Sequence, residues 1–193
     1  MGHLSLTLLF VLVLPQLPAQ DRPQDDARIV SEVLTYTVRR EVNKLLARPD
    51  GWRGSPLVIL LDRTIPMCPD KTGPWEECVE ASTLPAVRES WWTAALSVEF
   101  TTRNARPLTA PRLELPNVMS IPYENTAGRR PYELYPNAAG WLAVSLPAYL
   151  ESGQALIYAD FACGAMCCRR WFILVERSAT GWRVTREVGL GIC

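Results

Sequence analysis

Cysteines are the residues of this sequence whose type and spacing could carry chemistry. They are Cys68, Cys78, Cys163, Cys167, Cys168 and Cys193. Arg169 and Arg170 follow Cys168 directly, and neighbouring arginines can stabilise a reactive thiolate. The Cys-x-x-x-Cys spacing at Cys163 and Cys167 lies in a predicted hairpin, which lacks the helix N-terminus of Cys-x-x-Cys redox proteins. We therefore expect structural disulfides, with thiol–disulfide redox chemistry at Cys163, Cys167 and Cys168 as an alternative.

Paired carboxylates of the glycosidase type are a second possible chemistry. Glu124, Glu133 and Glu151 lie in or near a proline-interrupted stretch, but nothing in the sequence pairs them. A carboxylate-based hydrolase is therefore a further alternative. Ser145 lacks a histidine base of the usual kind, so we interpret it as structural.

Histidine limits the remaining chemistry. The single histidine, His3, lies in a segment that we predict to be removed. Without it, the chain cannot form a Ser-His-Asp or Cys-His nucleophile pair, or a zinc site with histidine ligands. We therefore predict no catalytic residue, no cofactor and no metal.

The N-terminal sequence has the pattern of a signal peptide. An apolar run from Leu8 to Leu14 leads to Ala19, and a polar stretch begins at Asp21. The run falls short of the roughly 20 residues that a membrane-spanning helix needs. We therefore predict a cleaved signal peptide at residues 1–20 and a secreted or periplasmic mature chain without a membrane span. Such a compartment is oxidising and favours disulfides.

The size and charge of the predicted mature chain, residues 21–193, indicate how many domains it has and which partners are excluded. Its length suits one domain with a sizeable core. Twenty basic and twenty acidic residues cancel, so no net field attracts nucleic acid, and we predict no nucleic-acid partner. The arginine pairs at 39–40, 129–130 and 169–170 could bind an anion, but we interpret each pair as divided between two solvated positions.

A long amphipathic helix is predicted at residues 26–47, with Asp25 or Asp26 as its cap. A buried strand at 57–61 follows. The apolar stripe of the helix consists of Ile29, Val30, Val33, Leu34, Val38, Val42, Leu45 and Leu46.

A second helix is predicted from Ser82 or Thr83, either of which could cap it, to about Thr102. Its packed face would contain Val87, Trp91, Leu96 and Val98.

Residues 103–136 contain six prolines, so we expect only short extended pieces there, near 113–115 and 118–121. Aromatic residues of this region could form a contact surface for a protein or polymer partner. The alternative is that they pack over an open sheet face. These residues are Tyr123, Tyr132, Tyr135 and Trp141.

The sequence after Gly140 predicts an antiparallel β-meander, because short aromatic and β-branched runs alternate with turn signals. The strands are expected near 141–146, 154–162, 169–176 and 182–188. Counting from a hairpin loop at residues 164–166, and from the next turn, predicts the opposed pairs Cys163–Cys167, Asp160–Arg170, Tyr158–Phe172 and Glu176–Arg183. Both faces of the first hairpin are apolar, so we expect helices or loops to cover both faces.

This register makes two disulfides feasible. Opposed cysteines in a hairpin lie within the span of a disulfide, which allows Cys163 to Cys167. Cys168 would lie opposite about Gly191, two residues from Cys193, so a bridge from Cys168 to Cys193 would tie down the last strand.

Cys68 and Cys78 bracket a polar loop, and we pair them. Six thiols allow fifteen connectivities, so this three-bridge set is one arrangement among several.

Short motifs extend over roughly residues 131–190. In order they are Asn137-Ala138-Ala139-Gly140, Ala155-Leu156-Ile157-Tyr158, Cys163-Gly164-Ala165-Met166-Cys167 and Gly181-Trp182-Arg183-Val184. This run resembles the ending of a family of uncharacterised secreted bacterial proteins, with an "NA.G" turn, an "AL.Y" strand, a "CG..C" hairpin and a "G.W.V" strand. The resemblance implies fold and export but no activity. Cys168 departs from the family, in which a glycine usually follows the second hairpin cysteine.

The predicted architecture is a single α+β domain, with two helices packed on a mostly antiparallel sheet of four or five strands that ends in a β-meander. The predicted function is that of an exported, disulfide-stabilised binding or structural module without enzymatic activity. Its partner would be an unknown protein or polymer ligand.

Overall fold

The computed structural model describes residues 22–47, 57–65, 92–106, 108–122, 131–150, 152–164 and 167–192. The helices are α1 (Arg22–Leu46), α2 (Ala94–Arg103) and the one-turn α3 (Pro131–Leu134). The strands are β1 (Val58–Leu61), β2 (Val118–Ile121), β3 (Gly140–Val144), β4 (Ala148–Tyr149), β5 (Gln154–Gly164), β6 (Cys167–Ser178) and β7 (Gly181–Ile192). The predicted α+β class is confirmed, but the sheet has seven strands and not four or five.

The strands form one sheet in the order β2-β1-β3-β5-β6-β7, with β4 paired to β5. β1 is parallel to β2 and β3, and all the other described pairs are antiparallel, so the predicted meander is present. β4 has two residues, too few to produce a periodic signal in the sequence. Of the two extended pieces expected in the proline-rich region, 118–121 is β2, while 113–115 is not in a strand.

The register of the first hairpin is confirmed along most of its length, where Tyr158 pairs with Phe172. It is wrong at the tip, because an irregularity between Ala162 and Gly164 places Gly164 opposite Cys167. Cys163 therefore does not face Cys167 across the ladder.

The register of the second hairpin is likewise confirmed at its turn, where Glu176 pairs with Arg183. Two register shifts follow, and each places one additional residue in β7. Gly191 consequently pairs with Arg170, and the prediction that it lies opposite Cys168 is wrong. The last described pair is Arg169 with Ile192.

α1 begins at Arg22, before the predicted start, so Asp25 and Asp26 lie inside the helix and do not cap it. Its apolar stripe is buried from Ile29 to Val38, as predicted. Leu46 is 61% exposed, contrary to the prediction. Val42 is the last described side chain of the stripe that packs against the core, and the side chain of Leu45 lies outside what is described. No helix in the described ranges is both long and apolar enough to cross a membrane.

α2 is preceded by Thr93, whose hydroxyl accepts a hydrogen bond from the Leu96 amide at 3.1 Å. Leu96 and Phe100 are its buried face. Val98 is 67% exposed, contrary to the prediction, since a residue two positions from Leu96 points to the opposite side of a helix. The prediction of one continuous helix up to Thr102 is wrong, because Trp92 and Thr93 are not helical and Thr93 caps a helix that begins at Ala94. The predicted start at Ser82 or Thr83, and the side chains of Val87 and Trp91, lie outside the described residues.

Hydrophobic cores cover both faces of the sheet, as predicted from the two apolar faces of the first hairpin. Ile157 and Ile173 join the first core, which α1 covers. Tyr158 and Phe172, their neighbours along the strands, join the second core with residues of α2. The Phe172 ring lies 4.9 Å from that of Trp92, centroid to centroid.

Candidate functional site

The predicted cysteine site lies at the tip of the β5–β6 hairpin. Cys163 and Cys168 are both disulfide-bonded, and no described cysteine is free. The predicted bridge from Cys168 to Cys193 was counted from Gly191 opposite Cys168, and Gly191 pairs with Arg170 instead. The Cys167 side chain and Cys193, Cys68 and Cys78 lie outside what is described. The pairing of the sulfur atoms therefore stays a prediction.

Two of the predicted contact aromatics, Tyr135 and Trp141, are half-buried and pack against the second core. The indole Nε1 of Trp141 is buried and has no hydrogen-bond partner. Tyr123 and the side chain of Tyr132 lie outside the described residues. A partner surface at Tyr132, Tyr135 and Trp141 stays a prediction.

The predicted carboxylates are not brought together by any described contact. Glu133 is exposed on α3, and Glu124 and Glu151 lie outside the described residues. Ser145 is fully buried; its hydroxyl donates to the Leu146 carbonyl at 2.9 Å and accepts from the Tyr158 amide at 3.0 Å. Both bonds lie within the fold, so Ser145 has a structural role.

A polar site that sequence reasoning missed surrounds the start of α1. Asp25 is 5% exposed, and its carboxylate accepts hydrogen bonds from Arg177 Nη2 at 2.8 Å and Trp182 Nε1 at 3.3 Å. These partners lie on β6 and β7. The carboxylate thus ties the first turn of α1 to the second hairpin.

Asp26 also binds one aromatic donor and one arginine, on other elements of the fold. Its carboxylate accepts from the Tyr149 hydroxyl at 2.8 Å and from Arg103 Nη2. The Arg103 guanidinium also lies 5.0 Å from the centre of the Tyr149 ring. Asp26 therefore joins α1 to β4 and α2.

The aromatic partners of the two aspartates touch each other, with the Tyr149 and Trp182 rings 6.3 Å apart and edge-on. We call this set of six residues the aspartate network; its members are Asp25, Asp26, Arg103, Tyr149, Arg177 and Trp182. Burial first, and then the hydrogen bond to Asp26, raises the pKa of the Tyr149 phenol well above its usual value. The raised pKa means that the Tyr149 phenol keeps its proton, and can donate it to Asp26, at a higher pH than an exposed tyrosine.

An apolar cleft of about 210 Å³ opens beside the aspartate network, between α1 and residues 108–111. Leu108 is 51% exposed and stands at its rim. Asp26 and Thr64 contribute polar groups. The apolar side chains that line it are Ala27, Val30, Leu108, Pro111 and Leu146.

The walls of the apolar cleft are held by hydrogen bonds. The Thr64 amide donates to the Leu108 carbonyl at 2.7 Å, and the Leu108 amide donates to Thr64 Oγ1 at 2.9 Å. On the other side, the Leu146 amide donates to Asn104 Oδ1 at 2.7 Å. The cleft is therefore preformed, as ligand sites usually are.

An open groove of about 400 Å³ lies on the other side of Ala27. Arg28, Ser31 and Glu32 of α1 form one wall. Thr180 and the first two residues of β7, Gly181 and Trp182, form the other. Ala27 borders both the apolar cleft and this open groove.

A second polar cluster occupies the C-terminal half of α1. Glu41 is 3% exposed and binds three cations: Arg40 Nε at 2.8 Å, Lys44 Nζ at 3.1 Å and Arg169 Nη1 at 3.3 Å. Arg40 also pairs with Glu187. We call this set the glutamate cluster; its members are Arg40, Glu41, Lys44, Arg169 and Glu187.

The arginine pair at 169–170 divides between the two faces of the sheet. Arg169 reaches Glu41 in the glutamate cluster, and Arg170 Nε lies 3.4 Å from Asp160 Oδ2. The expected division is therefore present, but both arginines form ion pairs in place of full solvation. Within the described ranges, no group of three or more His, Cys, Asp or Glu side chains is placed to hold a metal ion.

No family model, curated protein or solved structure matches the chain. The resemblance to secreted bacterial proteins thus stays a prediction. The candidate site consists of the apolar cleft and the aspartate network beside it. The sequence offered one signal for it: Leu108 and Pro111 are apolar residues in a proline-rich stretch that was expected to form a surface.

Proposed function

We propose that the protein is an exported, disulfide-stabilised binding module that takes an unknown protein or polymer ligand at the apolar cleft. The observation that carries this proposal is a preformed apolar depression with an exposed leucine, Leu108, at its rim. Binding pockets combine apolar walls with a few fixed polar groups, here Asp26 and Thr64.

The state of the cysteines supports a structural role for them. Cys163 and Cys168 are disulfide-bonded at the end of a long hairpin, where a bridge restrains the strand ends. Disulfides of this kind persist in oxidising compartments, which is consistent with export of the chain after loss of residues 1–20.

Binding at the apolar cleft can be tested with blocked amino acids, N-acetyl-leucinamide and N-acetyl-phenylalaninamide, by NMR. At roughly 0.3 kcal/mol per heavy atom, ligands of this size are expected to bind with a Kd on the order of millimolar. We expect the NMR chemical shifts of the Val30, Leu108 and Leu146 amides to change and to reach saturation as ligand is added. Leu108→Ser should weaken these changes, because it removes the apolar rim.

Val98→Ser is the matched control, since Val98 is also an exposed aliphatic residue but lies on α2 and does not line the cleft. This variant should bind as the wild type does. An equal loss in both variants, or no saturable shift in the wild type, would contradict binding at the cleft.

The structural role of the cysteines has its own test. Protein purified from an oxidising compartment should show no free thiol by mass spectrometry after denaturation without reductant. Two easily cycling thiols at Cys163, Cys167 or Cys168 would overturn the structural role and favour thiol–disulfide exchange.

A further inference from the structure

The apolar cleft and the open groove lie on adjacent sides of α1 and meet at Ala27, which lines both. Ala27 is exposed, and it is the one residue that lines both of these described cavities. A ligand longer than one side chain can therefore cross from one to the other.

The size of the apolar cleft limits what it can hold. Pockets for whole cofactors or drug-sized ligands measure about 300–1,000 Å³, whereas this cleft measures about 210 Å³. It has room for a single apolar side chain. The remainder of a ligand would have to lie outside it.

The open groove supplies the adjoining surface. Its charged residues, Arg28 and Glu32, have opposite signs and lie one helical turn apart, so they contribute no net charge. On the cleft side, Asp26 is compensated by Arg103. The complementary ligand therefore carries no net charge, and Trp182 adds an aromatic edge for it to contact.

We propose that one extended, uncharged segment of a partner polypeptide occupies both cavities, with an apolar side chain in the cleft and its neighbours in the groove. This inference rests on the proposed function. Crossing a helix about 10 Å wide requires roughly three extended residues at about 3.3 Å each. The whole segment is therefore about five residues long.

The test compares one blocked residue with two peptides, because the direction of the bound chain is not fixed. The peptides are acetyl-Leu-Ser-Gly-Ser-Gly-amide and acetyl-Gly-Ser-Gly-Ser-Leu-amide, and the reference is N-acetyl-leucinamide. We expect one peptide to bind at least 5-fold more tightly than the reference. It should also shift the amides of Ser31 and Gly181, which the reference leaves unchanged.

Ser31→Gln narrows the groove without touching the cleft, so it should abolish the advantage of the peptide and leave N-acetyl-leucinamide binding as it is. Ser97→Gln is the matched control: Ser97 is also a half-buried helical serine but lines neither cavity. This variant should behave as the wild type does.

The outcomes separate the two proposals. If the blocked leucine binds and neither peptide gains affinity, the extended segment is wrong and the cleft proposal stands. If nothing binds at the cleft, both fail. Self-association of the protein that Ser31→Gln abolishes would assign the two cavities to a second copy and overturn the peptide inference.

Discussion

The two halves of α1 both bury carboxylates among arginines, but the partners differ. In the aspartate network, each of two aspartates binds one arginine and one aromatic donor. In the glutamate cluster, a single Glu41 binds three cations, of which Lys44 and Arg169 are about half exposed. The apolar cleft and the open groove adjoin the aspartate network.

This difference separates two ways of fixing a helix to a sheet. The aspartate network joins α1 to α2, β4, β6 and β7 through short-range bonds. Its side chains are mostly shielded from water, except that of Arg177, which is 47% exposed. The glutamate cluster depends more on charge attraction near the surface, which water and salt weaken. The first arrangement suits a rigid binding site, since Asp26, one of its members, lines the apolar cleft.

Asp26→Ala should have the largest effect on stability. It removes the acceptor of the Tyr149 hydroxyl and leaves the Arg103 guanidinium with only the more distant Glu99 carboxylate at 3.9 Å. We expect the free energy of unfolding to fall by about 3 kcal/mol. Glu41→Ala should cost about 1–2 kcal/mol, because the exposed heads of Lys44 and Arg169 can be hydrated instead. Urea unfolding followed by circular dichroism measures both; a larger loss for Glu41→Ala would contradict the comparison.

Tyr149→Phe should have an intermediate effect on stability. We expect a loss of about 1–2 kcal/mol near neutral pH, because it removes one partly buried hydrogen bond. The folded state raises the pKa of this phenol. Its contribution is therefore fully present below the ordinary tyrosine pKa of about 10, and is lost as the pH rises above that value.

The measurement for Tyr149 is urea unfolding at a series of pH values from about 8 to 11. The wild type should lose stability towards the alkaline end more steeply than Tyr149→Phe. Parallel curves for the two proteins would show that the hydrogen bond to Asp26 does not hold the proton on the phenol.

Salt should have the smallest effect on stability, and this effect should differ between the glutamate cluster and the aspartate network. At about 1 M NaCl the Debye length falls to about 3 Å. We expect the stability difference between the wild type and Glu41→Ala to shrink by about 0.5 kcal/mol, and that for Asp26→Ala to change less. Equal salt dependence would remove the distinction between the two clusters.

Local patterns of the sequence predicted much of the fold. The stripe from Ile29 to Val38 identified the buried face of α1, and counting from the turns gave the Tyr158–Phe172 and Glu176–Arg183 pairs. The predicted strand pairs were wrong beyond each register shift. An additional residue in a strand has no distinctive residue type, so the sequence does not mark its position. The parallel pairing of β1 with β2 was equally hidden, since it joins segments far apart in the chain.

The candidate site could not be predicted for a related reason. Asp26, Thr64, Leu108 and Leu146 come from four separate segments, and only the fold brings them to one cleft. The predicted start of α1 was also too late, so Asp25 and Asp26 were predicted to cap the helix. No pattern in the sequence indicated that they contact Arg177 and Arg103. Side chains that meet through tertiary structure leave no spacing pattern in the sequence.

β7 lies last in the described sheet and is twelve residues long. A long edge strand presents a row of backbone N–H and C=O groups with which another chain can pair, and this is a common route to aggregation. The two register shifts against β6 interrupt that row and increase its twist. Arg183 and Glu187 add charges along the same strand. We therefore expect the two register shifts of β7 to oppose edge-to-edge pairing of the protein in concentrated solution.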